Sequence, residues 1–288
     1  MDAVEQNIRE TTAGAANNAS APVIRLVSID LDGTLLNDSK QITEQTLDAL
    51  RGLASRGIRV VIASARPPRS VRTYQEQLGL DTLQINYNGA LIWDPLQQRP
   101  VYHVPMHPRL ARGIIDNARD MFDEVLVSVE CMDKWYTDRF DQTYTTETGK
   151  LFKPDLVCPL DEFCNQPITK LMLLGDPRMI LRLEDLLTIR YGHIVSVLRC
   201  EPELLQIMDS RASKAVALER IADHYGIPME EVMAIGDARN DVEMLDAVGV
   251  AVAMDNAHPL VKEVADWVAP SNNDHGVHAA LLRYGLCG

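Results

Sequence analysis

The chain has 288 residues, 46% of them hydrophobic, and a formal net charge of −13. That length and apolar content suit two modest domains or one large one. The acidic balance argues against nucleic acid and anionic membranes as partners, yet leaves room for a small anionic substrate held by local cations or a bound metal. The five cysteines are scattered and form no C-x-x-C pair, and no stretch approaches the roughly 20 apolar residues of a membrane span, so a reduced, cytoplasmic protein is expected.

Residues 1–22 are polar and small and lack the apolar core of a signal peptide, which predicts a disordered tail. The first structured element is the run 23–29, broken only by Arg25 and Ser28 and stopped by Asp30. Such a run reads as a buried strand, and it leaves Asp30 at the carboxyl end, where open α/β sheets place their ligands. Leu47, Leu50 and Leu53 give helical spacing over 42–56, closed by Gly57. Residues 58–63 form a second apolar strand ending at Ser64. Pro67 and Pro68 open a helix towards Gly79, and 83–87 is a short strand before an Asn88-Gly89 turn. Strand, helix, strand, helix, strand is the pattern of a Rossmann-like parallel-sheet core.

The rhythm changes over 91–199. A hairpin (91–93 with 101–104), a helix (108–122), strands (124–130, 134–137, 168–174, 193–198) and a helix (177–190) predict an α+β insert, with 140–166 irregular. Alternation then returns: a helix over 212–225, a strand over 232–235 ending in Gly236-Asp237, and further short elements to residue 284. The expected architecture is an α/β core made of 23–90 and 200–288, with an α+β insert over 91–199.

Asp30 and Asp32 are two carboxylates two positions apart at a strand end. Each raises the other's proton affinity, which suits a nucleophile beside a general acid. Ser64, at the end of the second strand, offers a hydroxyl and an N–H to a phosphate oxygen. Lys214, at the start of a helix, offers a point charge. Asp237, Asn240 and Asp241 surround a strand-to-helix turn, and a few hard oxygen ligands of this kind suit Mg²⁺. Each feature alone has an ordinary explanation: a turn, a helix cap, a solvated lysine, acidic residues at a helix N-terminus. Their joint placement at strand ends and helix starts of one predicted sheet is what points to a site. A metalloprotease-like histidine pair and a G-x-S-x-G elbow are both absent from the sequence.

Asp30-Leu31-Asp32-Gly33-Thr34-Leu35-Leu36, Ser64, Lys214 and Gly236-Asp237-x-x-Asn240-Asp241 together resemble the four motifs of the haloacid dehalogenase-like phosphohydrolases. The similarity is to the Cof-type subgroup with a large α+β cap between the second and third motifs. Ala65 stands where the family commonly has Gly, and Gln206 where Glu is frequent. The resemblance implies a Mg²⁺-dependent phosphatase of small phosphorylated metabolites, sugar phosphates or phosphorylated cofactors. It further implies Asp30 as nucleophile and Asp32 as acid and base, with metal held by Asp30, the Asp32 carbonyl, Asp237 and Asp241. Ser64, Lys214 and Asn240 would bind the substrate, and a phosphate monoester is the expected partner. Within the insert, Lys134, Tyr136, Arg139 and Arg199 are candidates for specificity, weighed against ordinary surface or packing roles. A sugar phosphomutase and a non-catalytic binding protein are the alternatives on the same fold.

Overall fold

The computed structural model describes residues 22–140, 143–144 and 147–288; the expected tail lies outside the described residues except for Pro22. The chain begins with β1 (Leu26–Asp30), buried at every position, then α1 (Glu44–Ser55), β2 (Arg59–Ala63), α2 (Pro68–Leu78) and β3 (Gln84–Asn86). Pro68 pre-sets the first turn of α2, and Gly79 closes it in the left-handed conformation (φ 67°). β4 (Leu91–Asp94) and β5 (Arg99–His103) follow as a hairpin.

The second unit contains α3 (Pro108–Met121), β6 (Leu126–Cys131), β7 (Lys134–Thr137), α4 (Glu147–Leu151), β8 (Leu156–Val157) and α5 (Leu160–Phe163). It continues through β9 (Lys170–Leu174), α6 (Pro177–Tyr191), β10 (Val195–Glu201) and β11 (Leu204–Asp209). The chain then returns through α7 (Lys214–Tyr225), β12 (Val232–Gly236), α8 (Val242–Asp246), β13 (Val250–Met254), α9 (Pro259–Val264), β14 (Trp267–Ala269) and α10 (Gly276–Arg283). Among the described residues, no helix is long and apolar enough to cross a membrane.

Two sheets result. The larger has the order β14-β13-β12-β1-β2-β3-β4-β5, parallel from β14 to β3. The smaller has the order β10-β11-β9-β6-β7-β8. Strand order reverses at β1: the chain moves one way to β2 and β3, then returns on the other side to β12. That switch point opens a crevice at the strands' carboxyl ends.

The sheet memberships differ from the expected division at 90/91 and 199/200. The β4–β5 hairpin belongs to the larger sheet, where β4 pairs antiparallel with β3 (Ile85 opposite Ile92), and β11 belongs to the smaller one. A hairpin's sequence encodes its own turn but not the edge it will join. Here Ile92 enters the larger core, while Leu91 and Trp93 cluster with Tyr87 and Met208.

In the smaller sheet one face is covered by α3 and α6: Val127, Val129, Leu171, Leu173 and Ile207 pack against helix residues such as Ile114, Ile115 and Leu183. The other face turns towards the larger unit. There Glu130, 1% exposed, receives Arg69 of α2 (2.9 Å), Lys170 of β9 (3.4 Å) and the Tyr87 hydroxyl. Burial pushes the Glu130 carboxyl up, but Lys170 and Arg69 more than offset this and hold it below its usual range. The β6–β7 turn is fixed to α2 as well, since Asp133 accepts from the Arg69 backbone N–H at 2.8 Å. Glu130→Ala would leave two cations facing each other without their shared acceptor. It is expected to destabilise the fold by about 3–5 kcal/mol, measured as a lower urea midpoint, with Glu130→Gln losing less.

Candidate active site

β1 ends on Asp30, and the turn that follows is held by backbone bonds from Leu35 N–H to the Asp30 carbonyl and Leu36 N–H to the Leu31 carbonyl. Gly33 is required in this turn. Its φ is +83°, and a Cβ there would lie 2.5 Å from the Asp237 carboxylate. Thr34 then donates its hydroxyl to Asp237 Oδ1 at 2.6 Å. The first and fourth motifs are thereby locked together across the β1–β12 switch point.

Lys214 is the first residue of α7 and is 1% exposed. Its Nζ lies 2.5 Å from Asp30 Oδ1 and 2.7 Å from Asp241 Oδ1. Asp241 is fully buried, and its other oxygen accepts the backbone N–H groups of Asp237 (3.1 Å) and Ala238 (3.0 Å). One ammonium therefore serves two carboxylates, with Asp237 close by. Burial pushes the Asp30 carboxyl well up; Lys214 opposes this, and Asp241 and Asp237 add to it. Asp237 is raised to about 6, by burial against the Thr34 hydrogen bond. Burial alone would lower the Lys214 ammonium, but Asp241 and Asp30 raise it above its usual value, so it stays charged.

Carboxylate oxygens of Asp30, Asp237 and Asp241 all lie within 4.8 Å of one another. Three carboxylates against one cation leave a local negative excess. Such a compact set of hard oxygen donors fits a divalent cation of the Mg²⁺ kind. The Asp32 carboxylate stands apart from this trio. It accepts a bidentate pair from Arg66 (2.7 and 2.6 Å) and a third bond from Lys40 at 2.7 Å. Burial pushes Asp32 up, but the Arg66 and Lys40 contacts outweigh it and bring the carboxyl below its usual range.

Ser64 sits just past β2, 1% exposed, with its Oγ accepting the Arg66 backbone N–H at 3.1 Å. Asn240 donates to Asn88 Oδ1 at 2.7 Å. Both asparagines line a cleft of about 590 Å³ between the two sheets, with Arg66 on the core side and Lys170, Ser196 and Gln206 on the insert side. Gly89 makes this approach possible: with φ at +93°, a Cβ would fall 2.0 Å from the Ser213 carbonyl, just before Lys214. Of the insert candidates, Lys134 pairs with Asp155, Arg199 with Glu184, and Tyr136 stacks on Phe163, away from the cleft. Arg139 lines a neighbouring cavity. Arg66 and Lys40 complete the site. Arg66 follows Ser64 directly, a visible if ambiguous signal. Lys40 lies in a loop and carries no signal in the sequence at all.

The profile of the haloacid dehalogenase-like hydrolase family matches residues 27–281. Among curated relatives, 5-amino-6-(5-phospho-D-ribitylamino)uracil phosphatase YitU of Bacillus subtilis is 30% identical, covering 90% of this chain and 97% of its own. The putative phosphatase YxeH of the same organism is 32% identical over 89% and 97%. Among solved structures, a haloacid dehalogenase-like hydrolase from Bacteroides thetaiotaomicron aligns with a TM-score of 0.81 at 26% identity, covering 90% and 99%. TM0651 from Thermotoga maritima aligns at 0.80 and 28%, covering 91% and 97%. With its motifs assembled at one switch point and its full core and insert matched, the chain belongs to the haloacid dehalogenase-like hydrolases, Cof-type.

Proposed function

We propose that this phosphatase is Mg²⁺-dependent and hydrolyses small phosphorylated metabolites, sugar phosphates or phosphorylated cofactors, through an aspartyl-phosphate on Asp30. The observation that carries the reading is the buried Lys214 ammonium on Asp30, beside the carboxylates of Asp237 and Asp241. The relatives' names support the substrate range: one acts on a phosphorylated ribitylaminouracil.

In this reading Asp30 attacks phosphorus in line, which its position at the strand end and its contact with Lys214 support. Lys214 supports the ionised nucleophile and, with Ser64 and the backbone N–H groups after Asp30, balances charge growing on the phosphoryl oxygens. Asp32 is the acid for the departing alkoxide and the base for the hydrolytic water. Arg66 and Lys40 hold it ionised in the structure. To act as the acid in the first step it takes a proton from solvent, favoured when a phosphate dianion shares Arg66 and Lys40 with it. Asp30, the Asp32 carbonyl and Asp237 would hold the metal, with Asp241 and Asn240 arranging its surroundings. A bound Mg²⁺ supplies charge neutralisation at the phosphoryl oxygens.

Asp30→Asn is expected to cut turnover at least about a thousand-fold with the far-UV circular dichroism unchanged, in a phosphate-release assay over sugar, nucleotide and cofactor monoesters. Multiple turnover in that variant would refute Asp30 as nucleophile. Chelation with EDTA should abolish phosphate release and added Mg²⁺ should restore it; release that persists in chelator rejects the metal requirement. Arg66→Ala removes a charge-assisted contact and is expected to lower kcat/KM about 10- to 100-fold, corresponding to the strength of hydrogen bonds to charged groups. An unchanged kcat/KM would limit Arg66 to a structural partner of Asp32.

A further inference from the structure

The hairpin of β6 and β7 turns through Met132 and Asp133, since Cys131 pairs with Lys134. Met132 takes the positive φ (56°) that tight hairpin turns use at their first position. Its N–H donates to Thr169 Oγ1 at 2.7 Å, and that hydroxyl bonds His103 Nε2 of β5 at 2.8 Å. The tip thus belongs to the insert but rests on the larger unit. There Asp133 accepts the Arg69 backbone N–H, and Glu130 accepts the Arg69 guanidinium. Glu130 also accepts the Tyr87 hydroxyl, which lies 2.7 Å from the Met132 carbonyl.

Arg69 and Tyr87 grip the loop that carries Ser64 and Arg66. Arg69 follows Arg66 closely in the chain, across Pro67 and Pro68. Tyr87 begins a turn in which successive residues have positive φ: Tyr87 at 49°, Asn88 at 54° and Gly89 at 93°. Glycine adopts this conformation freely and asparagine tolerates it. For a side chain as bulky as tyrosine it is strained, and it persists only where the surroundings enforce it. Here they do, because Tyr87 is fully buried and its hydroxyl is pinned to the insert. The strained turn in turn holds the loop after β2 by its backbone. Tyr87 N–H donates to the Arg66 carbonyl (3.3 Å) and Asn88 N–H to the Ser64 carbonyl (3.1 Å). The Asn86 side chain gives the Arg66 carbonyl a second donor at 3.1 Å. With its backbone fixed from both sides, Arg66 sets its paired bonds on Asp32.

We infer that the β6–β7 tip is a positioning element for the reaction: Glu130 and Asp133 act through Tyr87 and Arg69 to aim Arg66 at Asp32. Tyr87, Glu130 and Asp133 are not among the residues that line the cleft, whereas Arg66 and Asn88 are. The insert then contributes to turnover through groups that meet no substrate, and this contribution is the same for every leaving group. The inference rests on the reading of Asp32 and Arg66 as working groups and adds what holds them in place. Misplacement of such a group by about 1 Å can cost about a hundred-fold in rate.

Tyr87→Phe removes the hydroxyl and keeps the ring. It should lower kcat about ten-fold, with KM changing less, for both sn-glycerol 3-phosphate and flavin mononucleotide. These esters of primary alcohols differ greatly in size, so an equal factor separates positioning from contact with the leaving group. In an Arg66→Ala background the same substitution should cost less than about two-fold, because the group it positions is gone. Asp133→Ala, at a more accessible position, should repeat the loss even if Tyr87→Phe folds poorly. Asp133→Asn, which keeps an acceptor for the Arg69 N–H, should recover most of it. Losses that differ by more than about five-fold between the two esters, or that multiply with Arg66→Ala, overturn the inference and leave the phosphatase reading standing. Full activity in both Tyr87→Phe and Asp133→Ala does the same. An unchanged kcat/KM in Arg66→Ala, or a wild-type enzyme that releases no phosphate from either ester with Mg²⁺ present, overturns the reading beneath it as well.

Discussion

The arrangement depends on one buried ammonium. Lys214 has no exposed side-chain surface and is held by Asp30 and Asp241. A lysine in such a place is stable only because its carboxylates offset the cost of removing it from water. The dependence runs both ways: without Lys214, Asp30 would sit at the end of β1 with only other carboxylates for company. Asp241 extends the same constraint into the backbone, since its second oxygen holds the amides of Asp237 and Ala238. A single ion cluster thus sets Asp30, the turn after β12 and the start of α7 relative to one another.

Asp32 shows the opposite arrangement. It is more exposed than Asp30 and carries Arg66 and Lys40 on its surface side. The two carboxylates, separated by a single leucine, therefore live in different electrostatic surroundings: one faces inward to a buried cation and further acids, the other is partly exposed with two cations of its own. That asymmetry is what a division between nucleophile and proton carrier requires.

Much of this was legible in the sequence because its signals are local. The apolar run ending at Asp30, the helix starts at Pro68 and Lys214, and the Gly236-Asp237 turn each follow from a few neighbouring residues, and the structure has strands and helices there. What the sequence concealed depends on long-range pairing. The 91–103 hairpin reads the same whichever sheet it joins, and only the docking of Ile92 and Leu91 decides the matter. Lys40 reaches Asp32 because a loop folds back, which no periodicity encodes. Lys134, Tyr136 and Arg199 read from residue type chiefly as surface or packing residues, and strand register and neighbouring acids give them those roles.

The position of β12 beside β1 also bears on how the chain matures. During synthesis β1 to β5 emerge first, and the entire insert follows before β12 can fill the strand position next to β1. Until then Asp30 ends an unpaired strand edge and lacks its cation, because Lys214 and Asp241 have not yet been made. Large proteins generally fold unit by unit as they are synthesised. Here the N-terminal segment alone lacks the partners of Asp30, and the Asp30–Lys214–Asp241 cluster assembles only when the last third of the chain has closed the sheet.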